Sequence, residues 1–177
     1  MLKEKEDYKG ECMRIILEGC DGTGKSTVAK ILAKKYNLDI VHMTGQDPKD
    51  YGFYRQSIRK TNVVFDRNLI GEMIYPIVFR RMNELTRAEF RTLIDMARNE
   101  GVKMFVFTCE NSVLKERLTA RGNECDEVMK HLEYINDSFK FLAHSHFIPI
   151  IDTTNKNAEE VAKEIIEIIE KGEIKND

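Results

Sequence analysis

One short segment constrains this chain more than any other: residues 19–26 read Gly-Cys-Asp-Gly-Thr-Gly-Lys-Ser and match the pattern GxxxxGK[ST]. The segment follows a short apolar run that ends at Leu17 and precedes a stretch with helical spacing that begins at Lys25. This is the context that a phosphate-binding loop requires. Glycines let the backbone wrap around an anion, which the loop N–H groups and the following helix N-terminus stabilise. The sequence therefore predicts a binding site for the phosphates of a nucleoside triphosphate with Mg²⁺.

Three side chains at the end of the loop have separate predicted roles. Lys25 is expected to reach the β- and γ-phosphates, Ser26 to offer its hydroxyl to Mg²⁺, and Thr27 to support the α-phosphate. The residues expected to surround the donor phosphates are Gly19, Cys20, Asp21, Gly22, Thr23, Gly24, Lys25, Ser26 and Thr27.

The distribution of apolar residues predicts an α/β fold. Five short apolar runs alternate with segments of helical spacing, a pattern typical of a three-layer fold with a five-stranded parallel sheet and helices on both faces. The predicted strands are Met13–Leu17, Leu38–Val41, Asn62–Phe65, Lys103–Phe107 and Phe147–Ile151. The predicted helices are a first one from Lys25, a short one at Tyr54–Arg59, one after Asp66 that is bent at Pro76, then Arg87–Asn99, Ser112–Ala120, Glu127–Ala143 and Ala158–Glu170. We expect one domain over residues 13–170, with a flexible arm at 1–12 and a flexible tail at 171–177.

Composition excludes several classes of function. The net charge of −2 predicts no global attraction to nucleic acid or to an anionic membrane. No apolar run approaches the roughly 20 residues that span a bilayer, and the first twelve residues are charged where a secretory signal would be apolar. A cytoplasmic location and no membrane partner are therefore expected. The four cysteines have no CxxC spacing, which favours reduced thiols over a zinc site.

Asp66 and Arg67 follow the third predicted strand directly. An acid at the end of such a strand, beside a phosphate loop, is able to hold Mg²⁺ directly or through water. Arg67 would enter the same crevice, where its planar guanidinium suits a phosphate. The alternatives are a helix cap for Asp66 and a structural ion pair for Arg67.

Arg117 and Arg121 are four residues apart and precede Gly122, so they share one helix face that ends at a glycine. Such a segment, at about residues 117–130, is suited to a lid that excludes water and neutralises a transferring phosphoryl group. The alternative is a solvated basic helix end.

Together, the segment Glu18–Thr27, the Asp66-Arg67 pair and the Arg117-x-x-x-Arg121-Gly122 segment resemble the thymidylate kinase-like nucleoside and nucleotide kinases of the P-loop superfamily. The resemblance implies an ATP- and Mg²⁺-dependent phosphotransferase, with a deoxynucleoside monophosphate as its first candidate acceptor. It further implies that Asp21 binds the acceptor sugar, that Arg67 grips the acceptor phosphate, that Arg117 and Arg121 are catalytic, and that Thr154 and Asn155 border the donor base.

The acceptor side departs from that family. His42-Met43-Thr44-Gly45-Gln46 replaces the Arg-Glu-Pro-Gly segment of thymidylate kinases, and a shortened connection follows. Deoxynucleoside kinases carry an acidic base at this position, whereas this chain has no carboxylate there. One predicted acceptor-binding cluster, able to stack on a base or simply to pack, consists of Tyr51, Phe53, Tyr54 and Arg55. The four histidines are interpreted as structural.

Three hypotheses follow for the activity. The first is phosphorylation of a deoxynucleoside monophosphate, and the second is phosphorylation of a hydroxyl on a nucleoside or on nucleic acid. The third is a regulatory NTPase, although Asn155-Lys156-Asn157 lacks the acid of a guanine-reading motif. The sequence leaves the oligomeric state open, with a homodimer among the options.

Overall fold

The computed structural model describes residues 12–122 and 125–172. The predicted arm at 1–12 and tail at 171–177 lie, apart from Cys12, Lys171 and Gly172, outside the described residues. No helix in the described ranges is long and apolar enough to cross a membrane.

Within the described residues, five parallel strands form one sheet in the order β2-β3-β1-β4-β5. Their runs of Ile, Val, Leu and Phe are almost fully buried in β1, β3 and β4, as expected for strands covered on both faces. The prediction of a five-stranded parallel sheet is confirmed. The strands are β1 Arg14–Gly19, β2 Asp39–His42, β3 Val63–Asp66, β4 Lys103–Thr108 and β5 Ile150–Asp152.

Helices cover both faces of this sheet, and two of them begin with capping boxes at Thr86 and Asn157. In the described part of the chain they are α1 Lys25–Tyr36, α2 Tyr51–Arg59, α3 Tyr75–Val78, α4 Arg87–Asn99, α5 Asn111–Arg121, α6 Asp126–Lys130, α7 Leu132–Ser145 and α8 Ala158–Lys171.

Side chains on the two faces of the sheet belong to two apolar clusters. Ile16 of β1 faces the larger cluster, which includes side chains of α2, α4, α5 and α7. Leu17, the next residue, faces the smaller cluster with side chains of α1 and α8. This alternation follows from the period of two along a strand.

The segment after Asp66 differs from the predicted helix. It forms a 3₁₀ turn at Gly71–Met73 and the single turn α3. Two of its amides, those of Asn68 and Ile70, donate to the Glu18 carboxylate, and Pro76 has no N–H to donate. The backbone donors that a continuous helix would use are therefore engaged elsewhere or missing.

The helix predicted over Glu127–Ala143 is also divided in the structure. His131 adopts φ −111° and ψ 17° and separates α6 from α7. Strand β5 is shorter than predicted, because Phe147 adopts φ 48° and is exposed, a conformation that no strand contains.

Candidate active site

The phosphate loop connects the end of β1 to α1, as its motif predicts. Gly19 has φ 136°, and a Cβ at this position would lie 2.3 Å from the carbonyl oxygen of Phe107 in β4. Gly24 has φ 89° and its carbonyl accepts from the N–H groups of Thr27 and Val28, which starts α1. Only glycine fits both places, because a side chain would clash at the first and strain the backbone at the second.

Lys25 is held inside this loop. Its side chain is buried, and Nζ donates to the carbonyl of Cys20 at 2.7 Å and to Thr23 Oγ1 at 3.3 Å. Burial, and then repulsion from Arg67, lowers the pKa of the Lys25 ammonium. A cation with so little water around it gains strongly from an anion in the loop.

Cys20 is a buried member of the same loop. Burial raises the pKa of its thiol to about 12. The thiol therefore stays protonated at neutral pH and is a poor nucleophile.

Two side chains contact the same carboxylate oxygen of Asp66. Ser26 Oγ donates to Asp66 Oδ2 at 2.5 Å, and His42 Nδ1 lies 2.9 Å from the same oxygen. The other oxygen, Oδ1, is buried and has no hydrogen-bond partner among the described residues. A hydroxyl and a carboxylate with a free oxygen are ligands that Mg²⁺ prefers, so Ser26 and Asp66 fit the predicted metal position.

His42 was interpreted as structural from the sequence, yet it lies in this site. Strands β2 and β3 are neighbours in the sheet, and His42 is paired in register with Asp66. Each is the last residue of its strand. Their proximity could have been found from sequence only by assuming that these two strands are adjacent.

Arg67 and Asp21 form an ion pair that connects the residue after β3 to the phosphate loop. The Arg67 guanidinium also lies 5.7 Å from the centre of the Tyr75 ring, within the range of a cation–π contact. Arg67 itself has φ 74°, an unusual conformation for a residue with a side chain. The two residues that were predicted separately are thus brought together, and Tyr75 was missed because its position depends on the short turns before it.

Glu18 lies directly before the loop and is fully buried. Burial raises the pKa of its carboxyl to about 7, although two backbone N–H bonds and the charges of Lys25 and Arg67 oppose that shift. In the sequence, Glu18 stands out only as the residue that precedes the phosphate-loop motif. No signal in the sequence identifies its partners, which are some fifty residues away.

Arg117 is engaged with the phosphate loop rather than extended from a lid. Its guanidinium donates to the carbonyls of Gly22 at 3.5 Å, Thr153 at 2.8 Å and Thr154 at 3.2 Å. It therefore connects the loop after β5 to the phosphate loop. Arg121 is exposed, one turn further along α5.

The predicted donor-base residues follow β5. Thr154 Oγ1 donates to Asp152 at 2.6 Å and accepts from the N–H of Glu110 at 3.0 Å, so this side chain fixes the loop. Asn155 is exposed beside it.

The predicted acceptor cluster on α2 does not form one exposed surface. Tyr54 is only 2% exposed, and its ring meets Phe53 edge-on at 5.6 Å. Tyr51 and Phe53 are partly buried against the larger core, while Arg55 is exposed. The structure thus places two of the three aromatic rings partly and one almost completely in the core.

The chain is similar to one known protein family and to several nucleotide kinases. A family model described as an AAA domain matches residues 15–137. A protein of Methanocaldococcus jannaschii, provisionally named an adenylate kinase, is 24% identical over 89% of this chain and 86% of its own length. Cytidylate kinase 2 of Borreliella afzelii is 24% identical over 93% of this chain and 100% of its own.

Among solved structures, the YorR protein of Bacillus subtilis, in complex with phosphorylated GDP, superimposes with a TM-score of 0.77. The two chains are 25% identical, and the match covers 89% of this chain and 96% of the other.

Proposed function

We propose that this chain, which belongs to the AAA domain family, transfers the terminal phosphoryl group of ATP to a deoxynucleoside monophosphate with the help of Mg²⁺. Relatives named as kinases, together with the phosphate loop, make it a nucleotide kinase-like phosphotransferase. The observation that carries the finer proposal is the position of Arg67. Its guanidinium is about one third exposed and lies against Asp21 of the phosphate loop, so a phosphate bound to it would be next to the donor.

The identity of the acceptor base is a separate part of this proposal. Relatives of similar identity are named for adenylate, cytidylate and thymidylate. The acceptor panel therefore includes all of these monophosphates. Thymidine monophosphate is tested first, because the motifs of the chain resemble those of thymidylate kinases.

In the proposed reaction, the phosphate loop and Lys25 bind the donor phosphates, and Arg67 holds the acceptor phosphate in line with them. Mg²⁺ held by Ser26 and Asp66 would supply charge neutralisation for the donor phosphates when bound. Arg121, the second arginine of the predicted lid, has an exposed side chain. We assign to it the stabilisation of charge on the equatorial oxygens of the transferring phosphoryl group. Arg117 is proposed to fix the backbone of the phosphate loop through its hydrogen bond to the Gly22 carbonyl.

A second candidate is a kinase that phosphorylates a hydroxyl. Such an acceptor needs a positioned base, and one observation favours it. The side chain of His42, the last residue of β2, is 56% exposed and is oriented by Asp66. It occupies the region in which this chain has no carboxylate.

The test is transfer of labelled γ-phosphate from ATP to nucleoside monophosphates, nucleosides and oligonucleotides. We expect monophosphates to accept, and Lys25→Ala to reduce transfer roughly 100-fold or more. Lys30→Ala is the matched control, because Lys30 is an exposed lysine on the same helix.

Three outcomes would contradict parts of the proposal. Transfer to water alone would refute a kinase, and transfer to nucleosides or oligonucleotides alone would refute the monophosphate acceptor. Lys25→Ala with the activity of Lys30→Ala would remove Lys25 from the reaction.

A further inference from the structure

Glu18 is a carboxylic acid within the hydrophobic core. It is the penultimate residue of β1, its exposed fraction is 0%, and the alternation of the strand places it on the same face as Ile16. Burying a carboxyl group is unfavourable unless hydrogen bonds compensate. The hydrogen-bond partners of the Glu18 side chain therefore indicate its structural role.

Those partners are backbone amides of a distant segment. Glu18 Oε1 accepts from the N–H of Asn68 at 3.0 Å and from the N–H of Ile70 at 2.8 Å. Both amides follow Arg67, whose positive φ of 74° turns the chain away from the end of β3. Successive N–H groups in such a turn form a concave site for an anionic oxygen, and Glu18 fills that site from within the protein.

The backbone of Arg67 is thus fixed on both sides by β1. On one side its own N–H donates to the carbonyl of Leu17 at 2.9 Å, and on the other the next amide donates to Glu18. Leu17 and Glu18 lead directly into the phosphate loop at Gly19. The arginine on the acceptor side is consequently anchored to the same strand that carries the donor site.

The Glu18 carboxyl lies among charged and phenolic groups. Lys25 and Arg67 act on its carboxyl electrostatically, and Tyr54 and Tyr75 are the phenols affected by its charge. Its second oxygen, Oε2, is buried without a hydrogen-bond partner among the described residues. Oε1 alone therefore makes the contacts to the Arg67 segment.

We propose that Glu18 is the positioning residue for Arg67, whose guanidinium it aligns with the acceptor phosphate by holding the amides of residues 68 and 70. This inference rests on the proposed function, since it assigns a role within that reaction. It requires no contact between Glu18 and either substrate.

The kinetic test compares Glu18→Ala with Glu18→Gln. The glutamine keeps an oxygen at Oε1, whereas the alanine leaves two buried N–H groups without an acceptor. We expect Glu18→Ala to raise the acceptor KM about tenfold or more, to change the ATP KM less than about twofold, and Glu18→Gln to restore the acceptor KM. Glu133→Ala, at an exposed position of α7, is the matched control.

A double-mutant cycle separates positioning from general damage. If Glu18 acts through Arg67, then Glu18→Ala adds little to the effect of Arg67→Ala on the acceptor KM. Additive effects would overturn the proposal, and so would an equal rise in both KM values or a Glu18→Gln variant as impaired as Glu18→Ala.

Hydrogen exchange tests the anchoring independently of activity. The amides of Asn68 and Ile70 should exchange about tenfold faster in Glu18→Ala than in the unmodified protein, and at an unchanged rate in Glu18→Gln. If no nucleotide accepts phosphate from the unmodified protein, the proposed function fails, while this measurement still decides whether Glu18 holds the segment. Unchanged exchange in Glu18→Ala would overturn the proposal.

A variant that keeps the carboxyl group covers the case in which Glu18→Ala does not fold. Glu18→Asp is one methylene shorter, so its carboxylate cannot reach both amides. We expect it to raise the acceptor KM as Glu18→Ala does, and an unchanged acceptor KM would contradict the role of Glu18.

Discussion

Glu18 makes the stability of the protein depend on pH in an unusual direction. Burial raises the pKa of its carboxyl from 4.5 to about 7, so the folded state favours the protonated form. The stabilisation from this group is fully present below pH 4.5 and is lost as the pH rises through 7. We therefore predict that the unmodified protein loses up to about 3 kcal/mol of unfolding free energy between pH 4.5 and 7 through this group. Glu18→Gln stays neutral and should not show this loss.

Urea unfolding at pH 4.5, 6 and 8 measures this difference. The unfolding free energy of Glu18→Gln relative to the unmodified protein should rise with pH, whereas the same comparison for the exposed Glu133→Gln should not. A relative free energy that stays constant for Glu18→Gln would show that the carboxyl titrates alike in both states.

Single residues differed in how far the sequence could identify them. The loop glycines, Lys25 and Ser26 were predictable, because their spacing within one short segment already implies their geometry. The contact of His42 with Asp66 and the contacts of Glu18 depend on which strands are adjacent and on a turn after β3. Neither property is encoded in local periodicity.

Two elements, the phosphate loop and the loop after β5, are connected by Arg117 of α5. Arg117→Lys would lose the planar guanidinium that reaches three carbonyls in both loops. We predict that the ATP KM rises about tenfold, because the donor side loses its alignment, and that kcat changes less. Steady-state kinetics with varied ATP measures both.

Two arginine variants serve as comparisons for that experiment. Arg91→Lys, at an exposed position of α4, should behave as the unmodified protein, and Arg121→Lys should lower kcat rather than raise the ATP KM. The assignment of Arg117 to a positioning role would be wrong if its variant behaved as Arg121→Lys does.

Elements were predicted well where the amphipathic pattern and its caps agree. Helix α4 has the bounds Arg87–Asn99 that were predicted from its cap and its periodicity. The break between α6 and α7 was missed because the buried positions Val128, Leu132 and Ile135 continue the helical spacing across it. A periodic pattern cannot reveal a change of direction that keeps the same face buried.

The molecule as a whole is proposed to unfold as one unit. Both apolar clusters pack on the same sheet, and the central strand β1 contributes Ile16 to one cluster and Leu17 to the other. Loss of either cluster would therefore expose the strand that supports the second. We predict a single unfolding transition over residues 13–170, which thermal scans by circular dichroism and fluorescence should report at the same midpoint.

Ligand linkage adds a control to this measurement. A non-hydrolysable ATP analogue with Mg²⁺ at about 100 times its Kd should stabilise the folded state by about 2.7 kcal/mol. The resulting rise in the midpoint temperature should be lost in Lys25→Ala. Two separate transitions, only one of them shifted by the ligand, would contradict the single-domain prediction.

The turn at Gly101 gives the molecule a point of attachment remote from its chemistry. Gly101 lies shortly before β4, at the amino ends of the strands, whereas the phosphate loop lies at their carboxyl ends. No atom lies within 4 Å of the place where a Cβ of Gly101 would be. The six residues of β4 separate the two ends of the sheet by about 20 Å along the strand. A peptide tag inserted in this turn would allow the protein to be immobilised with the phosphate-loop end of the sheet facing the solution.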